Sequence, residues 1–206
     1  VKLVTELSET IAAIASAPGH AERGLIRISG NDVMIVLSQL FDFAETPDPK
    51  IAQRYQGRVR FEGDLAVAAS TYLWPTERSY TGQPMAELHL PGSPALLEMV
   101  LEAVFKHGAR PAERGEFTLR SFLAGRIDLP QAEAVLGVID AFDHQELNTA
   151  LRQLAGGLSG QVTDIRTALI EVLADLEAGL DFVEEDIEFI ELPELLRQLT
   201  ACRDKV

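Results

Sequence analysis

The sequence predicts an α+β fold, with a mixed α/β domain over residues 1–124 and an all-α domain, part of a helical bundle, over residues 125–206. Two observations predict it. In the first part, short β-branched runs alternate with turn residues, which is typical of strands joined by loops. From about Arg126 onward, apolar residues recur at helical spacing and only two prolines remain. At 206 residues the chain is long enough to bury a substantial core.

Two strands are predicted at the start of the first domain. They cover residues 10–16 and 24–29 and are separated by a turn at Pro18 and Gly19. In the second strand, isoleucines alternate with Arg27, so this arginine is expected on the polar face. Asn31 is then expected to cap a helix whose apolar residues follow at steps of four and three, namely Val33, Leu37 and Leu40.

The rest of the first domain predicts a hairpin, a strand and a helix. The hairpin joins residues 58–61 to 65–74 through Glu62-Gly63-Asp64. A further strand covers residues 85–90, because apolar and polar side chains alternate there. A helix begins at Ser93 or Pro94 and ends near Gly108.

Long apolar stripes predict the helices of the second domain. Pro130 fits the first turn of a helix that carries Ala134, Val135, Val138, Ile139 and Phe142. Two further stripes follow, at Leu147, Leu151, Leu154 and Leu158, and at Ile165, Leu169, Val172, Leu176 and Leu180. The glycines between these stripes (Gly156, Gly157, Gly160) predict a turn between two helices. The acidic residues from Asp181 to Glu194 are more typical of a solvated face than of a calcium loop.

The charge of the chain argues against autonomous nucleic-acid binding. The formal charge is −14, of which −3 lies in residues 1–125 and −11 in residues 126–206. Non-specific binding to a phosphate backbone depends on Lys and Arg, so an acidic surface predicts weak binding. The single cysteine, Cys202, excludes an internal disulfide and fits a reducing compartment. No apolar stretch is long enough to span a membrane, and we expect a cytoplasmic protein.

Several common catalytic motifs are missing from the sequence. It contains no G-x-x-x-x-G-K-[ST] phosphate loop, no G-x-G-x-x-G and no G-x-S-x-G. Its four histidines are widely scattered, which argues against a metal site. We therefore expect no catalytic residue and no GTP hydrolysis from these residues alone.

Two stretches of the sequence resemble a known family in their residues and not only in their hydrophobic periodicity. Residues 10–19 (TIAAIASAPG) with 24–30 (GLIRISG), and residues 115–135 (GEFTLRSFLAGRIDLPQAEAV), resemble the tRNA modification GTPase family called MnmE or TrmE. Shorter stretches also resemble the family, at Ser79-Tyr80-Thr81-Gly82, at Glu87-Leu88 and along residues 152–187. The resemblance is collinear over nearly the whole chain.

The resemblance implies a fold, a cofactor and partners. The first domain would be similar to the tetrahydrofolate-binding part of aminomethyltransferases and would form a homodimer. The helical domain would be interrupted by a GTPase domain, to which GTP, magnesium and potassium would belong. With a flavin-dependent partner (MnmG, also called GidA), the family modifies carbon 5 of the wobble uridine of tRNA. The acidic surface here predicts weak tRNA binding by these residues alone.

The resemblance also carries three folate contacts to this sequence, at Arg27, Glu87 and Arg126, the last where lysine is usual. The cofactor would be 5-formyltetrahydrofolate or methylene-tetrahydrofolate, whose pterin edge suits a carboxylate and whose glutamate tail suits arginine. The residues by themselves leave structural alternatives open. Arg27 could be simply exposed, Glu87 could point to water, and Arg126 could interact with a helix end by charge.

The sequence departs from the family pattern in four loops. They lie at His20–Arg23, Gln83-Pro84, Pro91–Ser93 and Glu113-Arg114. These changes should preserve the fold but put folate affinity in doubt. Two alternative functions therefore stay open, a folate-dependent enzyme of the aminomethyltransferase type and a dimerisation scaffold that has lost folate binding.

Overall fold

A sheet and two sets of helices account for the structure. The computed structural model describes residues 8–61, 63, 65–181 and 190–204. Contacts divide the chain after Ile127 into two compact units. The first combines strands with helices and the second is helical, so the predicted α+β class is confirmed.

Seven strands form one sheet within the described residues of the first unit. They are β1 (Ile11–Ile14), β2 (Ala21–Ser29), β3 (Phe41–Phe43), β4 (Gln53–Arg60), β5 (Ala66–Trp74), β6 (Met85–Gly92) and β7 (Arg110–Pro111). Their order across the sheet is β3-β4-β5-β6-β2-β1-β7. Neighbouring strands are antiparallel, except that β1 and β7 are parallel.

One face of this sheet forms the hydrophobic core. From Glu9 onward, the described helices of the first unit are α1 (Val33–Leu40), α2 (Pro94–Lys106) and α3 (Glu116–Leu123). Leu37 of α1 and Val100 of α2 are fully buried in one cluster with Ile26, Ile28 and Leu88 from the sheet. Because successive side chains point to opposite faces, the residues between them, such as Arg27 and Glu87, lie on the other face.

The structure changes details of the predicted elements. Asp32, not Asn31, occupies the N-cap position of α1 and makes no side-chain cap hydrogen bond. The amide of Asp32 donates instead to Thr10 Oγ1 (3.1 Å), which ties the helix start to the residue before β1. The short β3, β7 and α3 are additional elements. Glu62 and Asp64 of the predicted hairpin turn lie outside the described residues.

Over residues 128–181 and 190–204, the second unit is built from helices. They are α4 (Leu129–Asp140), α5 (His144–Leu154), α6 (Gly157–Asp181) and α7 (Leu192–Arg203). The turn predicted at the glycines is confirmed at Gly156, which has φ +84° between α5 and α6. It is wrong for Gly157 and Gly160, which lie in the first turn of α6. The acidic residues at 184–188 lie outside the described residues. Phe142 is 97% exposed, and its predicted place in an apolar stripe is wrong because α4 ends at Asp140.

Asp128 starts α4 with a reciprocal cap, which predicts a measurable contribution to stability. Its carboxylate accepts from the Gln131 amide (2.9 Å), and Gln131 Oε1 accepts from the Asp128 amide (3.0 Å). Asp128→Ala is expected to destabilise the second unit by about 1 kcal/mol, since the Gln131 amide at the helix start loses its acceptor. Hydrogen exchange of the α4 amides measures this. Asp32→Ala, at a helix start without a side-chain cap hydrogen bond, should leave α1 exchange nearly unchanged.

Candidate functional site

Arg27 and Glu87 form an ion pair on the polar face of the sheet. They are directly opposite each other in the β2–β6 ladder. Glu87 Oε1 accepts from Arg27 Nε (2.9 Å) and lies 2.8 Å from Nη2. Their side chains are 29% and 16% exposed. Two residues sixty positions apart in the chain therefore meet in one partly dehydrated pair, where charge-assisted hydrogen bonds are strong.

Aromatic rings surround the arginine of this pair. The Arg27 guanidinium carbon lies 5.9 Å from the centre of the Tyr80 ring and 5.7 Å from that of Phe117. Tyr80 in turn is 3.3 Å from Thr118, hydroxyl to hydroxyl. Both rings favour a cation and exclude water from its sides. The pair thus has a fixed position rather than a freely solvated one.

The second oxygen of Glu87 points toward a histidine. Glu87 Oε2 lies 3.7 Å from His89 Nε2. That nitrogen is buried and has no hydrogen-bond partner among the described residues. The imidazole packs edge-on against the Tyr72 ring, with 4.9 Å between the ring centres. A carboxylate oxygen and a ring nitrogen therefore remain available to a ligand with polar edges.

Arg126 contacts the loop that carries Tyr80. Its Nη2 donates to the carbonyl of Glu77 at 2.6 Å. Further along this loop, Thr81 Oγ1 lies 2.7 Å from the hydroxyl of Ser29 in β2. The structure thus brings Arg27 and Glu87 into direct contact. The guanidinium of Arg126 lies against the loop whose tyrosine lies against Arg27. The Arg126 guanidinium binds this loop rather than the end of α3.

Sequence reasoning missed a charged network behind the site. Glu116 Oε1 accepts from Arg110 Nη2 (2.7 Å) and from Arg120 Nη2 (2.8 Å). Arg120 Nη1 donates to Gln83 Oε1 at 2.8 Å, which links α3 to the Tyr80 loop. Glu116 and Arg120 are only 7% and 2% exposed. Their i, i+4 spacing in GEFTLR was the available signal for an ion pair.

The network stabilises the ionised form of Glu116. Burial by itself would raise the pKa of this carboxyl. Hydrogen bonds from Arg110, the Glu113 amide and Arg120 outweigh burial and lower its pKa to about 2. Glu116 is therefore ionised at every physiological pH.

Comparison with known proteins identifies the family. Residues 10–126 match the family described as "GTP-binding protein TrmE N-terminus", and residues 129–206 match "MnmE helical domain". The chain belongs to the MnmE family. The resemblance inferred from residues 10–30 and 115–135 is thereby confirmed. Arg27 and Glu87 lie inside the first match, and Arg126 is its last residue.

Relatives extend well beyond the region that they share with this MnmE-family chain. A protein of Rhodopirellula baltica is 49% identical over 203 residues, which cover 98% of this chain and 44% of the relative. Proteins of Saccharophagus degradans and Thermus thermophilus are 37% and 35% identical, over 91% and 95% of this chain and 41% and 46% of the relatives. All three are named tRNA modification GTPase MnmE. The chain therefore spans less than half the length of each.

No described helix of this MnmE-family chain is both long and apolar enough to cross a membrane.

Proposed function

We propose that the first unit binds a one-carbon tetrahydrofolate, such as 5-formyl- or methylene-tetrahydrofolate, on the polar face of its sheet. Arg27, Glu87 and Arg126 would contact it. The observation that carries the proposal is the Arg27–Glu87 pair, partly buried beside two aromatic rings in a domain of the MnmE family. Taking two charges partly out of water costs free energy. A need to hold a carboxylate in a fixed position for a ligand would explain why the fold contains such a pair.

The residues present fit a folate. The edge of a pterin offers adjacent N–H donors, and Glu87 Oε2 is an acceptor that no arginine of the described residues occupies. Arg27 would hold the other oxygen and so orient the carboxylate, while Tyr80 and Phe117 would limit access of water. Arg126 would add positive charge at the edge of the Tyr80 loop. A bound folate supplies the one-carbon unit, and these residues bind and orient it.

The proposal extends to the whole parent protein, on the basis of the family. The parent protein would modify carbon 5 of the wobble uridine of tRNA as a homodimer, together with a flavin-dependent MnmG-type partner. GTP hydrolysis, with magnesium and potassium, would belong to a separate GTPase domain. The net charge of −14 supports a division of labour in which other parts of the complex hold the tRNA.

Calorimetry with 5-formyltetrahydrofolate tests folate binding. Glu87→Ala is expected to weaken binding roughly ten- to 100-fold, because hydrogen bonds to a charged acceptor are lost. Arg27→Ala should weaken it as well, since Glu87 loses the group that orients it. Glu98→Ala removes an exposed carboxylate from α2, on the other side of the sheet, and should change nothing. A wild-type protein that does not bind the folate would support the scaffold function instead.

A further inference from the structure

The geometry points to a carboxylate-binding subsite at Arg54, which receives the negatively charged tail of the folate. This inference rests on the proposed function and deepens it. It assigns an orientation, with the pterin at Glu87 and the glutamate tail two strands away on the same face of the sheet.

One register row across three strands connects the two ends. Glu87 of β6 is opposite Tyr72 of β5, and Tyr72 is opposite Arg54 of β4. Cross-strand partners share a face, and adjacent strands lie about 4.8 Å apart, so Arg54 is about 10 Å from Glu87 along the sheet. The order of side chains is carboxylate, aromatic ring, cation. A folate presents the complementary order of pterin, p-aminobenzoyl ring and carboxylates.

Arg54 has the properties of an anion-binding group. It is exposed, and its guanidinium carbon lies 5.9 Å from the centre of the Tyr72 ring. No carboxylate lies within ion-pair distance of it in the described part of the chain, whereas Arg27 and Arg60 are both paired. An arginine supported by an aromatic ring and left without a carboxylate is well suited to bind one from a ligand.

A cavity adjoins this row on the same face. It has a volume of about 320 Å³, and its lining includes Arg23, Arg54, Gln56, Ser70 and His89. His89 follows Glu87 by two positions in β6, so it faces the same side, and its buried Nε2 has no hydrogen-bond partner among the residues that the structure describes. Polar donors and a cation therefore continue from Glu87 into a concave space, as expected for a ligand subsite.

Two of the four departures from the family pattern line this cavity. Glu22 and Arg23 belong to the His20–Arg23 change, and Pro91 begins the Pro91–Ser93 change. A register shift between Ala21 and Gly24 marks an irregularity in β2 at this point. Expected in loops, these substituted residues instead lie at the start of β2 and the end of β6, which are paired in the sheet. They therefore meet at one place and add one cation and one anion to it. The negative charge of Glu22 opposes the binding of a carboxylate, whereas the positive charges of Arg23 and Arg54 favour it. The balance of these charges sets the affinity for the folate tail.

A ligand-truncation experiment tests the subsite by calorimetry on the full chain. The probes are 5-formyltetrahydrofolate and 5-formyl-6-methyltetrahydropterin, which lacks the p-aminobenzoylglutamate. Arg54→Ala is expected to weaken binding of the folate about tenfold and to leave binding of the truncated probe within about twofold. Glu22→Gln should strengthen binding of the folate only, about two- to threefold.

Arg58→Ala is the matched control. Arg58 is an exposed arginine of the same strand that donates a 3.4 Å hydrogen bond to the carbonyl of Ala66. It should leave both affinities unchanged. If Arg54→Ala weakened the binding of both probes equally, or of neither, the tail subsite would be overturned. Binding of the folate by the wild type would in that case still uphold the proposed function. A wild-type protein that binds neither probe overturns both.

Discussion

Glu116→Gln is expected to lower the free energy of unfolding of the first unit by about 3 kcal/mol at pH 7. Glutamine preserves the size of the side chain but removes its charge. Arg120, which is 2% exposed, would then keep its hydrogen bond to Gln83 but lose its ion pair with the Glu116 carboxylate. Removing one charge of a buried ion pair costs more than the pair itself contributes, because the remaining charge has already lost its water. Urea denaturation followed by Trp74 fluorescence measures the loss.

The pH dependence of this difference provides the decisive control. The folded pKa of Glu116 is about 2, below its unfolded value of about 4.3. Its ionisation therefore stabilises the fold fully above the unfolded pKa, and that stabilisation is lost as the pH falls toward 2. The gap between wild type and Glu116→Gln should narrow over this range. The same substitution at the exposed Glu113 should be neutral, and a pH-independent gap would contradict the role of the charge.

Most of the first unit could be predicted because its strands alternate so clearly. Ile26 and Ile28 are buried on one face of β2, and Arg27 lies between them on the other, as the period of two requires. Elements of three residues or fewer, such as β3 and β7, are too short to show a period. Their position depends on the neighbouring strand, which a local pattern does not record.

The candidate site was predictable in its residue types but not in its contacts. Alternation placed Arg27 on the polar face, yet nothing local shows that Glu87 faces it across a ladder sixty residues away. Strand register depends on which faces are buried and on turn geometry, so partners distant in sequence stay hidden. The Arg126 contact with the Glu77 carbonyl is of the same kind, because it depends on where a loop passes the end of α3.

Gly82→Ala is expected to destabilise the first unit by about 3 kcal/mol and to weaken folate binding at the same time. Gly82 has φ +71°, a conformation that alanine adopts only with strain. A Cβ atom at this position would also lie 2.4 Å from Ala124 Cβ, which is far inside van der Waals contact. The Tyr80 loop would have to move away from the end of α3, and with it the ring that lies against Arg27.

Two further variants separate strain from steric conflict. Gly125→Ala is the matched control, because Gly125 has φ +66° but a Cβ atom there would meet nothing within 4 Å. It should cost only the conformational strain, about 1 kcal/mol. In the double variant Gly82→Ala/Ala124→Gly the clashing methyl group is gone, so stability should recover to the level of Gly125→Ala, and folate affinity with it. Urea midpoints and calorimetry on wild type, Gly82→Ala, Ala124→Gly and the double variant give the coupling between the two positions. If the double variant were no more stable than Gly82→Ala alone, the close approach of loop and helix would not be what requires glycine at position 82.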